Sequence, residues 1–250
     1  ELLIAASKLR SQNRNAEATE ILRQAAEADY GSAQFLYALR MKKSDGKTLY
    51  WRRACDWIER SEKHHFIKAA VLLGKCHVSG EWHKQDYIIA RHMFEKAARF
   101  GDATALRELG TLYIDGHGAE KDAAYGQKLS WIGLVMQNAK ALKINANTNG
   151  RELPTVRDAF RWLKEGIKQG DAASQWLYGN AYHDGYGTDK DLVKAYEWIF
   201  KAATHRHGMA INQLANLYMH GVGVEQNTDM AYAWGMVSAR LGNGKARQSI

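Results

Sequence analysis

The feature that most constrains this chain is a repeat. Tyr178 to Gly187 reads Tyr-Gly-Asn-Ala-Tyr-His-Asp-Gly-Tyr-Gly, and Leu214 to Gly223, 36 residues on, reads Leu-Ala-Asn-Leu-Tyr-Met-His-Gly-Val-Gly. The same offset carries Ala195 to Ala231 and Trp198 to Trp234. Leu109 to Gly118 holds a third copy, 69 residues before the one at Tyr178, which leaves room for one degenerate unit between them. A fourth, Leu73 to Gly80, lies another 36 residues back and lacks the second glycine. A period of this length means stacked supersecondary units, each unable to bury its apolar face alone.

Each copy is followed by a second signature. Ala90 to Phe100 ends at Gly101-Asp102, Ala159 to Gln169 at Gly170-Asp171, Ala195 to Arg206 near Gly208, and Ala231 to Leu241 at Gly242-Asn243. Inside them Phe94, Ala97 and Ala98, or Trp198, Ala202 and Ala203, recur at the three- and four-residue spacing of an amphipathic helix. Gly followed by Asp or Asn reads as one helix's C-cap and the next helix's N-cap. The unit is therefore a helix A, a Gly-x-Gly loop, a helix B and a glycine turn. Small residues at Ala97, Ala98, Ala105 and Gly110 let the two helices approach. Large ones at Leu109, Tyr113, Tyr182, Tyr218, Trp198 and Trp234 fill the space between hairpins.

This pattern resembles the Sel-1-like repeat (SLR) family, relatives of the tetratricopeptide repeats with units of about 36 residues. The resemblance implies an all-α fold, a right-handed α-solenoid of stacked helix-turn-helix repeats, as a single domain over residues 1–250. Clear repeats occupy 66–242, with a degenerate one at 138–171, and 243–250 forms a C-terminal stub, either a cap or the start of a truncated unit. Residues 1–65 fit less well. Ala16 to Ala28 reads as a helix B, Ala33 to Met41 as a helix A and Leu49 to Arg60 as another helix B, but Lys42 to Lys47 lacks the loop. Asn138 to Pro154 should carry a helix A, yet Asn-rich turn chemistry replaces the glycine pair there. A shortened helix and a long loop are expected, with a functional loop and plain repeat decay as equal readings.

Composition agrees. Of 250 residues 46% are hydrophobic, 25% charged, and only one is Pro, which helices exclude. The 35 Lys and Arg against 27 Asp and Glu give a net charge of +8. The basic residues lie in short groups among acidic ones, so a plain solvated surface is the first explanation of the charge, an acidic secreted effector or an envelope protein is the partner expected, and nucleic acid is not. No apolar run approaches the ~20 residues of a membrane-spanning helix. The chain opens at Glu1 without Met, and Leu2 to Ala6 is too short for a signal peptide's apolar segment, so any export signal is expected to have been removed already. The resemblance favours a periplasmic or exported location, with a cytoplasmic one left open.

Motifs of catalysis and cofactor binding are absent: no phosphate-binding glycine loop, zinc-protease helix, nucleophile elbow or calcium loop. His64-His65 and His205-Arg206-His207 have no third ligand at metal-site spacing and read as surface turns. Cys76 shares the register of Leu112 and Leu217 and reads as a buried small hydrophobe; whether Cys55 bridges it is open. No catalytic residue, cofactor or metal is assigned, and the chain is not expected to be an enzyme. Core is the expectation for Trp162, Trp198, Trp234, Tyr113, Tyr182 and Tyr218. Trp176 differs, because it aligns with Arg107 and Asn212, between the packed positions of helix A.

In solenoids of the family this chain resembles, the A helices line the concave face where partners bind. By repeat register that face includes Lys75, Arg107, Thr111, Trp176, Asn180, Asn212 and Asn216. Amides, basic groups and one large aromatic suit a folded surface or an extended peptide. Alternatively, Trp176 fills a cavity left by the irregular neighbouring repeat. The resemblance implies a bacterial protein-interaction scaffold, an immunity protein that covers a secreted toxic effector being the favoured role. An adaptor in envelope regulation, secretion or virulence, and a hydrolase of cell-wall material, are the alternatives.

Overall fold

The computed structural model describes residues 2–45, 48–80, 84–146, 150 and 152–242, and of 42–45, 48–52 and 242 the backbone alone. These residues form thirteen α-helices and no strand: α1 (Leu2–Ser11), α2 (Asn15–Glu27), α3 (Gly31–Asp45), α4 (Thr48–Lys63), α5 (Ile67–Ser79), α6 (Tyr87–Arg99), α7 (Ala103–Asp115), α8 (Ala123–Ala141), α9 (Val156–Lys168), α10 (Ala172–Asp184), α11 (Leu192–Thr204), α12 (Gly208–His220) and α13 (Thr228–Gly242). The arrangement is an all-α solenoid of helical repeats. The stub at 243–250 lies outside the described residues.

The helices group into two compact units, residues 1–133 with 147–153, and residues 134–146 with 154–250. In the first, the A helices are α1, α3, α5 and α7; in the second, α10 and α12. A B helix follows each A helix directly: α2 packs against α1 and α3, α4 against α3 and α5, α6 against α5 and α7, and α11 against α10 and α12, while α9 packs on α10 and α13 on α12. Four A helices, α5, α7, α10 and α12, end where a glycine takes the left-handed conformation: Gly80, Gly116, Gly185 and Gly221 all have φ between 66° and 77°. A β-carbon would strain that backbone, which is why this position is glycine in every clear copy.

Helices approach closely where side chains are missing. A β-carbon on Gly110 would meet the Gly126 carbonyl oxygen at 2.5 Å, and one on Gly126 would meet the Gly110 oxygen at 2.4 Å. Around such contacts the alanines are buried: Ala90, Ala97, Ala98 and Ala105 in the first unit, Ala195, Ala202, Ala203 and Ala210 in the second. Trp162 and Tyr218 are buried, as core positions should be, whereas Trp198, Trp234, Tyr113 and Tyr182 are half-buried. Those four present one edge to water and one to a neighbouring ring or helix, as Trp198 does against Tyr178 at 5.1 Å between centroids. Cys55 and Cys76 are buried thiols in one cluster with Phe35, Ile58 and Leu73.

The turn from each B helix to the next A helix shows a register that composition hides. Asp29, His65 and Gly101 stand 36 residues apart and all have positive φ, 66°, 57° and 81°. Gly170 and Arg206, also 36 apart, do the same at 77° and 62°. The turns before α3 and α5 therefore share the backbone conformation of the later ones, with Asp29 and His65 in place of glycine. Helix α3 runs on to Asp45 through most of the segment that lacks the loop.

In the degenerate repeat, Asn138 to Ala141 are the last turn of α8, a 19-residue helix, and not a separate helix A. Described residues from 142 to 155 are non-helical. Helix α9 then starts on a capping box, in which the Thr155 hydroxyl accepts from the Asp158 N–H and the Asp158 carboxylate accepts from the Thr155 N–H.

Candidate functional site

The residues that sequence register places on the A helices fall in both units. In the first unit, Lys75 on α5, Arg107 and Thr111 on α7 are exposed. Lys75 is ion-paired with Glu108 of α7 at 2.8 Å. The Arg107 head is in water, but its stem covers Gly133, where a β-carbon would lie 2.8 Å from Arg107 Cγ. The Thr111 hydroxyl donates to the Arg107 carbonyl at 3.2 Å, a bond within its own helix.

In the second unit, Trp176 and Asn180 of α10 are half-buried, and Asn212 and Asn216 of α12 are exposed. Gln213 of α12 joins the two A helices. Its side-chain oxygen accepts from the Trp176 indole N–H at 2.6 Å, and its amide nitrogen donates to the Asn180 oxygen at 2.8 Å. The Ser238 hydroxyl of α13 donates to the Asn212 side-chain oxygen. Trp176 is thus held on one side by a hydrogen bond and on another by His207, whose ring lies 5.2 Å away. An indole fixed in this way offers a partner a rigid face at little entropic cost.

Gln213 was not among the residues read from the sequence, nor was Glu108. The two occupy one register position, and each bonds a residue 33 earlier on the preceding A helix: Glu108 to Lys75, Gln213 to Asn180. The signal that finds them is a 33-residue pairing offset superimposed on the 36-residue repeat. It requires knowing which face of the helix is turned to its neighbour.

The histidine groups are structural. His64 lies 3.0 Å from Asp29, His205 is hydrogen-bonded to Gln175 at 2.9 Å, and His207 caps α12 by accepting from the Ala210 N–H at Nδ1. Burial pulls the His207 pKa down, against the field of Asp171, which raises it. Burial pushes Asp171 up, but bonds from Asn138, Ser174 and Ala173 together outweigh it and leave the carboxyl below its ordinary range. Asn138 earns its place here, its amide donating to Asp171 at 2.9 Å and to Ser174 at 2.8 Å. The phenol of Tyr178 is pushed up to about 12 by burial and by Tyr182, and that of Tyr196 to about 12 by burial and by Tyr218. Among the described residues no three His, Cys, Asp or Glu gather as a metal-holding group, and no helix is long and apolar enough to cross a membrane.

Thirteen-residue helices paired by glycine-ended loops, with polar side chains bridging successive A helices, define a helical-hairpin repeat protein. Comparison with known families specifies which. The Sel1 repeat model matches residues 67–102, 103–129, 156–171, 172–207 and 208–243, more than half of the chain. The chain belongs to the Sel1 repeat family, whose members generally mediate protein–protein interaction.

Solved structures agree on the fold. A Sel1 repeat protein from Oxalobacter formigenes superposes with a TM-score of 0.61 at 21% identity, over 97% of this chain and 83% of that one. A protective antigen present in uropathogenic Escherichia coli strains, displaying an SLR fold, superposes at 0.51 with 25% identity over 90% of this chain. This chain spans about half of that antigen, 49% of its length.

Proposed function

We propose that the protein binds a partner protein through its A-helix surfaces, Lys75, Arg107 and Thr111 serving in the first unit and Trp176, Asn180, Asn212 and Asn216 in the second. The observation that carries this reading is the Trp176–Gln213–Asn180 chain of hydrogen bonds. A half-buried tryptophan, pinned by a neighbouring helix and flanked by exposed amides, is the composition of an interface anchor. The favoured role is that of a bacterial immunity protein that covers a secreted toxic effector. The net charge of +8 suits an acidic effector, which it would also draw in over a distance. The likeness to the uropathogenic E. coli antigen supports the second reading, an adaptor in envelope, secretion or virulence functions.

The test is affinity capture from extract of the native host, with mass spectrometry of what is retained, beside a variant carrying Trp176→Ala and Arg107→Glu. One dominant protein, lost in the folded variant, is expected, and its identity separates an effector from an envelope component. Equal capture by both proteins places the interface elsewhere. Charge steering has its own check: neutralising Lys75 and Arg107 should weaken the salt dependence of binding, and an unchanged dependence rejects it.

A further inference from the structure

In the second unit a cavity of about 850 Å³ opens along α9. Ile144, Val156, Phe160 and the buried Trp162 give it an apolar floor. Arg157, Arg161, Lys164 and Lys168 line it from one side of the helix, with Glu165 the single acid in the lining. All four basic side chains are exposed. Arg161 reaches Asp158 at 3.1 Å and Lys168 reaches Glu165 at 3.4 Å, solvent-exposed pairs of the kind that contribute little. Among the described residues Arg157, although in the field of Asp158, makes no ion pair, and neither does Lys164.

We propose that this cavity docks an extended acidic peptide segment of a partner protein, with acids at alternate positions and apolar side chains between them. The spacing selects that shape. The basic row advances by four, three and four residues, steps of about 6, 4.5 and 6 Å along a helix. In an extended chain, every second side chain points the same way and repeats at about 6.6 Å. Acids at alternate positions therefore meet the row in turn. The apolar residues between them cover the cavity's apolar lining, Val156 and Phe160 beside the row on α9 and Ile144 from the segment before it. A compact anion would engage one or two of these bases, whereas the row runs for about 16 Å. The site shares no residue with the A-helix surfaces and stands whether or not those bind a partner.

The experiment is fluorescence anisotropy with a labelled heptapeptide, Glu-Leu-Asp-Phe-Glu-Leu-Asp. Its controls are the amide twin Gln-Leu-Asn-Phe-Gln-Leu-Asn and a block isomer that gathers the four acids at one end. The variant Arg157→Glu/Lys164→Glu is run against the charge-matched Lys8→Glu/Arg10→Glu on the A helix α1, with circular dichroism to confirm helix content. Saturable binding is expected, at least about tenfold weaker for the amide twin and for the α9 variant, and within about twofold of wild type for the A-helix variant. Affinity should fall between about 50 and about 300 mM salt. Should the α9 charge reversal not fold, Arg157→Gln/Lys164→Gln replaces it with the same direction of effect. No binding, an equal loss in both variants, or equal affinity for the block isomer overturns the proposal. So does binding of phosphatidylserine vesicles through Arg157 and Lys164 by a protein that ignores the peptide, which would make the cavity's rim a membrane contact.

Discussion

The α-carbon of Gly223 stands so close to the carbonyl group of Leu192 that a β-carbon on it would lie 2.0 Å from the oxygen. A β-carbon on Gly118 would lie 2.3 Å from the Tyr87 oxygen, and one on Gly187 would lie 2.0 Å from the Val156 side chain. Each glycine meets the residue 31 before it, the first of the preceding B helix. The two glycines of the loop thus do different work. The first ends helix A, and the second lets the loop close on the hairpin before it.

Gly223→Ala should therefore cost more than a left-handed backbone alone explains. Gly170 makes the comparison, since its φ is 77° and nothing lies within 4 Å of a β-carbon there. Gly170→Ala is expected to lose about 1 kcal/mol from conformation. Gly223→Ala should lose about 3 kcal/mol, because overpacking against backbone adds to that. Urea unfolding of the two variants measures the difference, and equal losses would show that the loop moves aside.

Arg206→Gly should stabilise the protein. Arg206 has φ 62° where the equivalent turn 36 residues earlier has Gly170. Removing its β-carbon relieves a left-handed cost of about 1–2 kcal/mol, offset in part by the greater freedom of glycine in the unfolded chain. A net gain of about 0.5–1 kcal/mol is expected in the same unfolding assay.

Stability should fall as His207 protonates. Nδ1 accepts from the Ala210 N–H, which a protonated ring cannot do. Burial holds the folded-state pKa below the ordinary 6.5, so the unfolded chain takes up the proton first. The contribution is whole above 6.5 and is lost as pH falls from there through the folded value. A cap is worth about 1 kcal/mol. His207→Asp supplies the cap residue that Asp102 and Asp171 provide in other repeats, as an anion throughout this range. The thermal midpoint of wild type should drop between about pH 7.5 and about pH 5 by more than that of the variant. Parallel curves would remove His207 from the account.

Gln213→Ala should destabilise more than Glu108→Ala, although the two hold one register position. Gln213 satisfies the half-buried indole of Trp176 and the amide of Asn180, and its loss leaves both without that partner, at about 1–2 kcal/mol. Glu108 serves Lys75 across an ion pair whose side chains are 34% and 45% exposed, so water replaces it and the loss stays under about 1 kcal/mol. Trp176 fluorescence should also shift in the Gln213 variant alone, because only there does the indole N–H lose its acceptor.

By itself the sequence determined the repeat, its hairpin and the positions of its closest contacts. Glycine pairs, buried alanines and capping aspartates are local requirements, each met by one residue type at one place in a 36-residue period. Where the type changed, legibility failed: Asp29, His65 and Arg206 take the same left-handed turn as Gly101 and Gly170, and only backbone angles reveal it. Tertiary structure also decided which A-helix side chains pair. The register that singled out Trp176 and Asn180 is a one-helix property, whereas Gln213 and Glu108 matter for what faces them on another helix. The basic row of α9 was legible as charge and as helix, yet its apolar floor was not. That floor takes Ile144 from a non-helical segment and Trp162 from α9 itself, residues that only folding brings beside one another.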